Sequence, residues 1–241
     1  MKTRLRYGLA ALACYLLFLA LNLPAYWLAR ALAHWSGQQV QLLAVQGTVW
    51  RGQCQALQIG AQRFDDVHWD WRLWSLLLAR VEVSVTGQAG QRATVYWQGG
   101  QKVRLRAADL HLPVSLLASV WAPIAEYGLD GQLGLRSDDL LWDGQLHGQA
   151  RLSWWQAASN RLPQRPLGDY QAELQTDAHG VNFKLHTVQG ILRVQGHGHW
   201  RPGERLHFSG SALPQNASQL GELGALLGHQ PDAQGVYWLA F

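Results

Sequence analysis

The sequence predicts a mainly β fold: a single N-terminal transmembrane helix, then an antiparallel, curved sheet, groove-like or half-barrel, with a few short helices. Three observations carry this. No charged residue occurs from Tyr7 to Ala29, and that stretch is rich in Leu and Ala. Beyond it the hydrophobic period is two rather than 3.6, the signature of strands with one apolar and one wet face. Glycines recur between the alternating runs, at Gly87, Gly99, Gly131, Gly144, Gly180 and Gly190 among others, so turns are plentiful.

Taken in order, residues 1–6 read as a cytoplasmic tail, 7–33 as a transmembrane helix and 34–241 as one exported β-rich domain. About twenty apolar helical residues cross a bilayer core of about 30 Å. Lys2, Arg4 and Arg6 precede the run with no acidic residue among them, which holds the N-terminus in the cytoplasm. A cleaved signal peptide is the competing reading. Its apolar core runs to about 7–15 residues and ends at a small-x-small site. The run here is longer, and Ala29-Arg30-Ala31 lies late and is split by an arginine. Length therefore favours a retained anchor. Tyr7, Leu16 and Phe18 belong to its body, Pro24 kinks it or marks its final turns, and Tyr26 and Trp27 read as interfacial anchors.

The net charge of +4 and pI near 9.3 suggest an anionic partner, but the charge map removes it. Lys2, Arg4, Arg6 and Arg30 are four of the 20 basic residues, and no acidic residue precedes Asp65, so beyond Arg30 sixteen basic residues face 16 acidic ones. Nothing remains to hold a phosphate backbone, and no nucleic-acid partner is assigned. Lys102, Arg104 and Arg106 alternate with apolar residues and read as the solvated face of a strand. Cys14 lies in the membrane segment and Cys54 stands alone outside it, so no disulfide joins them. Cys54 reads as a buried free thiol.

The strand signals are regular. Val81, Val83 and Val85 alternate with Glu82, Ser84 and Thr86. Val181, Phe183 and Leu185 alternate with Asn182, Lys184 and His186, and Leu206 and Phe208 with His207 and Ser209. Either a closed core or an open groove would take Val81, Val83, Val85, Val181, Phe183 and Leu185, because both bury the same alternate residues. Three short helices interrupt the strands. Leu73 to Leu78 is too apolar all round for an exposed helix, so it should be buried or lie against the sheet. Val114 to Val120 follows Pro113, a good first-turn residue. Ala217 to Leu227 has Asn216 as cap, Leu220, Leu223 and Leu227 as a stripe, and Gly228 at C′. Arg161 to Gly168, with Pro163 and Pro166, reads as a loop. A loose internal echo places an aromatic hairpin before a tryptophan pair twice, at Trp50 with Trp69-x-Trp71 and at Trp142 with Trp154-Trp155.

No catalytic, metal or cofactor constellation emerges. His197 and His199 share a strand face, with His186 and His207 as additions from neighbouring strands, but no Cys pair or carboxylate cluster accompanies them. Solvent-facing strand histidines are the better reading. There is no G-x-S-x-G elbow, no S-x-x-K, no Walker loop and no Rossmann fingerprint. Asp65-Asp66 and Asp138-Asp139 are adjacent, so each pair points to opposite faces of a strand and forms no acid/base dyad. The 13 tryptophans suit a core, an apolar groove or a membrane interface, with Trp35 as an interfacial candidate.

The hairpin Gln46-Gly47-Thr48-Val49-Trp50-Arg51-Gly52 then becomes informative. A basic N-terminus and an apolar helix ending in Leu23-Pro24-Ala25 precede it, and Trp154-Trp155 and the Leu223 to Gly228 stretch follow at matching places. This layout resembles the type II secretion system protein N family, over nearly the whole chain. Its most specific part is Gly47, Thr48, Trp50 and Gly52, whose weight is structural. The resemblance implies a Gram-negative inner-membrane protein with a periplasmic domain, acting without catalysis or cofactor. It also implies contacts with other secretion subunits, either inner-membrane proteins or the secretin. The strand-and-turn style is loosely similar to lipid-transfer proteins of the AsmA type, which implies the alternative of a lipid- or hydrophobe-binding groove.

Overall fold

The computed structural model describes residues 2–76, 80–119, 126, 128–162, 166–177, 180–201, 203–215, 232 and 234–240. The apolar N-terminal run does not form one helix. It breaks into α1 (Lys2–Leu21) and α2 (Ala25–Trp35). The break has a local cause. Asn22 turns its side-chain amide back on the Phe18 carbonyl, donating at 2.8 Å. Pro24, in extended conformation with ψ 142, lacks an N–H and disfavours helix in the residue before it. The expected helix over 7–33 is therefore corrected. Its uncharged part within α1 ends at Leu21, about 22 Å long at ~1.5 Å per residue. Among the described residues no helix is long and apolar enough to cross a membrane. Residues 25–33 belong to a second helix that packs on the sheet.

The chain divides into two compact units, residues 1–90 and 91–241. In the first, β1 (Val40–Gly47), β2 (Arg51–Ile59), β3 (Gln62–Trp71) and β4 (Val81–Thr86) form an antiparallel meander in chain order. Ala25 of α2, Cys54, Val67 and Trp69 form the buried cluster, and Leu28, Leu42, Val45, Leu57 and Phe64 pack against it. The pairings Leu42↔Leu57↔Phe64 and Val45↔Cys54↔Val67 set the face that α2 covers. α2 can do this because its apolar residues recur at helical spacing on one side.

Two expectations in this unit need correction. Trp74, in the short helix α3 (Leu73–Leu76), is 82% exposed rather than buried, so that segment does not bury all its faces. In β4 the most buried residue is Glu82, not a valine. The Arg72 guanidinium lies 3.2 Å from its carboxylate and covers it, while Val85 is 37% exposed.

The second unit is a nine-stranded antiparallel meander. Its strands are β5 (Arg92–Trp97), β6 (Val103–Pro113), β7 (Leu129–Trp142), β8 (Leu146–Ser159), β9 (Gly168–Asp177), β10 (Gly180–Gly190), β11 (Leu192–Trp200), β12 (His207–Pro214) and β13 (Tyr237–Ala240). Bulges interrupt the ladders, with Ala107 at φ 48 and Gln156 at φ 51 in the left-handed region. Each bends its strand and increases local twist. Leu206 precedes β12 and is exposed, so the alternation begins one residue later than expected. The segment after Pro113 is a 3-10 turn over Val114–Ser119 with Val114 buried. The expected helix over 217–227, with Asn216 and Gly228, lies outside the described residues, as do residues 77–79 and 120. The Arg161 to Gly168 loop has structural work: Leu162 and Leu167 are buried against Leu192, Ala212 and Tyr237.

Asp232 organises the entry into β13. Its carboxylate accepts the N–H groups of Gln234 and Val236 at 2.8 and 3.0 Å and the Trp238 indole N–H at 3.0 Å. The Val236 and Gln234 N–H groups hold its carboxyl below the usual carboxylate value. A depressed folded value stabilises the fold above the unfolded value, and that gain is lost as pH falls through the folded one. Acidification should therefore lower the amide-exchange protection factors of Tyr237–Leu239, corrected for the intrinsic rate at each pH, before those of the rest of the sheet, and Asp232→Asn should remove that pH dependence. Burial also pushes the Cys54 thiol up. A maleimide at pH 8 should label Cys54 only as urea unfolds the chain, read by mass spectrometry in a Cys14→Ser background.

Candidate functional site

Two structures stand out: an apolar sheet face in the second unit and a docked hairpin in the first. Side chains directly opposite in an antiparallel ladder share a face, so the strand register traces that face from strand to strand. One row runs Leu110↔Leu135↔Leu152↔Ala172↔Leu185↔Gly196↔Gly210↔Leu239, from β6 to β13. Beside it run Leu112↔Leu133↔Trp154↔Tyr170 and Ala150↔Leu174↔Phe183↔Gly198↔Phe208. A further row, Trp97↔Val103↔Trp142↔Leu146, lies nearer one end. Leu146, Gly148, Ala150, Leu152 and Trp154 alternate along β8 without a bulge and tie these rows to one face.

Aromatic rings lie over glycines on this face. A Cβ on Gly198 would run into the Phe183 ring, and one on Gly196 would sit 2.5 Å from Phe208. The two rings stack with centroids 6.0 Å apart. Rings over glycines pack a sheet face where no second layer faces it. Tyr170, buried, donates its hydroxyl to the Leu192 carbonyl at 3.0 Å, and burial pushes its phenol up. Leu162 and Leu167 cover the end near Tyr237. Elsewhere the face stays open: Trp97 is 46% exposed, and Val103, Trp142 and Leu152 are similarly accessible.

The opposite face is charged. Arg104 meets Asp139 at 2.7 Å, Arg136 meets Asp109 at 2.7 Å and Arg151 meets Glu173 at 3.5 Å. The Arg136 hydrogen bond holds the Asp109 carboxyl below its ordinary range. Such exposed pairs add little stability, but they mark the wet side.

Of the residues singled out from the sequence, Val181, Phe183 and Leu185 come together on the apolar face, with Val181 buried and the other two half-buried. Val83 and Val85 pair with Trp71 and Trp69 in the first unit, with Val81 on the same side. Leu110, Leu133, Leu135 and Leu152 were not singled out, although Leu110/Leu112 and Leu133/Leu135 carry the same period-two signal. Trp154 and Trp155 do not act as a pair. Trp154 faces Tyr170 at 6.0 Å, while Trp155 points to the charged side, against His111 at 5.2 Å. The histidines do not converge: His197 lies opposite Lys184 and Ser209, His186 opposite Gln195, and His199 opposite His207. Among the described residues no group of three metal-ligating side chains occurs.

The hairpin motif explains itself by contact. Gly47 pairs with Gly52 at the end of β1 and β2. Gly47 has φ +90, and a Cβ there would sit 2.5 Å from the Arg51 carbonyl. A Cβ on Gly52 would sit 2.5 Å from the Trp69 ring. The Thr48 hydroxyl accepts the Arg51 N–H at 3.1 Å and closes the turn. The tip then docks on the helix break. Trp50 donates its indole N–H to the Ala20 carbonyl at 2.7 Å, Val49 N–H reaches the Leu23 carbonyl at 2.9 Å, and Thr48 bridges to Pro24. Trp50 also meets Trp71 edge-on at 6.0 Å, and Trp69 donates to the Val49 carbonyl at 3.1 Å. Of the six anchor residues read from the sequence, Pro24 lies at this junction. Tyr7, Leu16 and Phe18 project from α1, and Tyr26 and Trp27 from α2, all more than half exposed.

Trp50 is half-buried, so its truncation should cost less than that of a core tryptophan. Trp50→Ala is expected to lower stability by about 2 kcal/mol in urea unfolding. Gly52→Ala, which forces Trp69 to move, should cost a similar amount, about 2 kcal/mol.

The sequence model of type II secretion system protein N matches residues 38–240. A curated relative of that name from Aeromonas hydrophila is 28% identical over 264 residues, covering 100% of this chain and 98% of the relative. Another of that name from Klebsiella pneumoniae is 24% identical over 234 residues, covering 90% of this chain and 86% of the relative. No solved structure matches. With the family match spanning the strands of both units and the docked hairpin, the chain belongs to the type II secretion system protein N family.

Proposed function

We propose that this protein is a non-enzymatic component of a type II secretion apparatus, anchored in the bacterial inner membrane and acting through contacts with other apparatus subunits. The family match over residues 38–240 carries this reading. In it, residues 1–6 are cytoplasmic, α1 is embedded in the membrane, and residues 34–241 stand in the periplasm. The side chains of α1 support the anchor. Leu9, Leu12, Tyr15, Leu16, Leu17, Phe18 and Leu19 are each more than half exposed. The consecutive residues 15–19 point all round the helix, a surface that water does not favour but a bilayer does. Lys2, Arg4 and Arg6 in the sequence supply the positive flank that such an anchor carries on its cytoplasmic side. Inner-membrane subunits or the secretin are the partners this reading requires.

A second reading is supported by the open apolar rows of the second unit: the face takes a lipid or another hydrophobe. Two measurements separate the readings. A deletion strain should secrete type II substrates poorly, and complementation should restore export. Undiminished secretion without the protein would sink the first reading. Native mass spectrometry of the gently extracted full chain should show co-purified lipid under the second reading, and Leu135→Arg with Leu185→Arg should abolish it. Lipid-free wild-type protein would leave the scaffold role alone.

A further inference from the structure

α2 has two faces of different chemistry. Ala25 and Leu28 turn to the sheet. Tyr26 and Trp27 point away from it, at 60% and 55% exposure, whereas Trp35, two turns after Leu28 on the same side of the helix, ends α2. Arg30 stands beside Tyr26, its guanidinium 3.5 Å from the Tyr26 hydroxyl. Among the described residues Arg30 has no carboxylate partner, and no acidic residue precedes Asp65 in the chain. Aromatic rings with polar edges and an unneutralised cation on one helix face match the headgroup layer of a phospholipid bilayer.

The position of that face follows from chain length. α2 begins at Ala25, and α1 ends at Leu21. Four residues of extended chain reach at most about 14 Å. The headgroup layer is about 5–7 Å deep on each side of the hydrocarbon core. The junction is not free to swing away, because Trp50, Val49 and Thr48 hold Ala20, Leu23 and Pro24.

We propose that α2 lies along the phospholipid headgroup layer, with Tyr26, Trp27 and Arg30 turned to lipid, so that it carries the sheet of the first unit against the membrane surface. This rests on the reading of α1 as a membrane-embedded anchor. α2 is then a shared layer, with the sheet on one side and lipid on the other.

The test uses the full chain with Cys14→Ser and single cysteines at Leu17, His34 or Gln58, each carrying an environment-sensitive fluorophore. The buried Cys54, with its raised thiol, stays unlabelled. His34 is exposed on α2, and replacing it keeps every aromatic in place. Gln58 is exposed on β2, on the side away from α2. Vesicles of phosphatidylethanolamine and phosphatidylglycerol carry bromine at shallow or deep acyl positions. The Leu17 probe should be quenched most by deep bromine, the His34 probe several-fold more by shallow than by deep bromine, and the Gln58 probe by neither. Combined Tyr26→Gln and Trp27→Gln should release the His34 probe to water and leave Leu17 quenched. An unquenched His34 probe beside a quenched Leu17 probe overturns the proposal and leaves α2 facing water or protein. An unquenched Leu17 probe overturns the anchor itself, and the proposal with it.

Discussion

Burial of one apolar sheet face, with no second sheet among the described residues to bury it against, is the constraint on which this structure depends. Antiparallel strands of period two produce such a face whether or not a cover exists. The first unit meets the constraint with α2, which sets Ala25 and Leu28 against Cys54, Val67 and Trp69. The second unit uses other means. Bulges at Ala107 and Gln156 bend its strands, Phe183 and Phe208 lie over Gly198 and Gly196, and Leu162 and Leu167 cap one end. Trp97, Val103, Trp142 and Leu152 remain accessible, and that remainder gives the second unit its potential as a binding surface.

Stability and function draw on different parts of the chain. The ion pairs of the charged face, such as Arg136 with Asp109 and Arg104 with Asp139, are solvated and contribute little. The Gly47–Gly52 hairpin does more with fewer atoms, since it ties β1 and β2 to both sides of the helix break. It therefore couples α1 to the sheet of the first unit. A motif that identifies the family is thus a mechanical joint, and its glycines are required by close backbone approach rather than by chemistry.

Much of the fold was legible in the residues. The alternation of Val181, Phe183 and Leu185 reports their shared face, and the ring of Trp69 over Gly52 explains why the hairpin needs a glycine there. The helix break was half legible. Pro24 announced a disturbance, but a run that is apolar throughout hides the 3.6 period, so the switch from an all-round apolar α1 to a two-faced α2 left no trace. Glu82 was misplaced for a related reason. Alternation assigns faces but not cover, and Glu82, which the pattern gives to water, is buried and paired with Arg72. Adjacent tryptophans at 154 and 155 read as one feature, although neighbouring strand residues must point to opposite sides.

The sequence by itself determined the β architecture, the neutral balance of the chain beyond Arg30, the absence of a recognisable catalytic motif and the family to which the hairpin layout points. These follow from local periods, counts and spacings. Only the tertiary structure decided that the apolar run is two helices, that the second one covers a sheet, and which rows of the other sheet stay open. Those outcomes depend on which surfaces meet across tens of residues, as Trp50 meets Ala20 and Leu162 meets Tyr237. Burial is a property of such meetings, and no period in the chain encodes it.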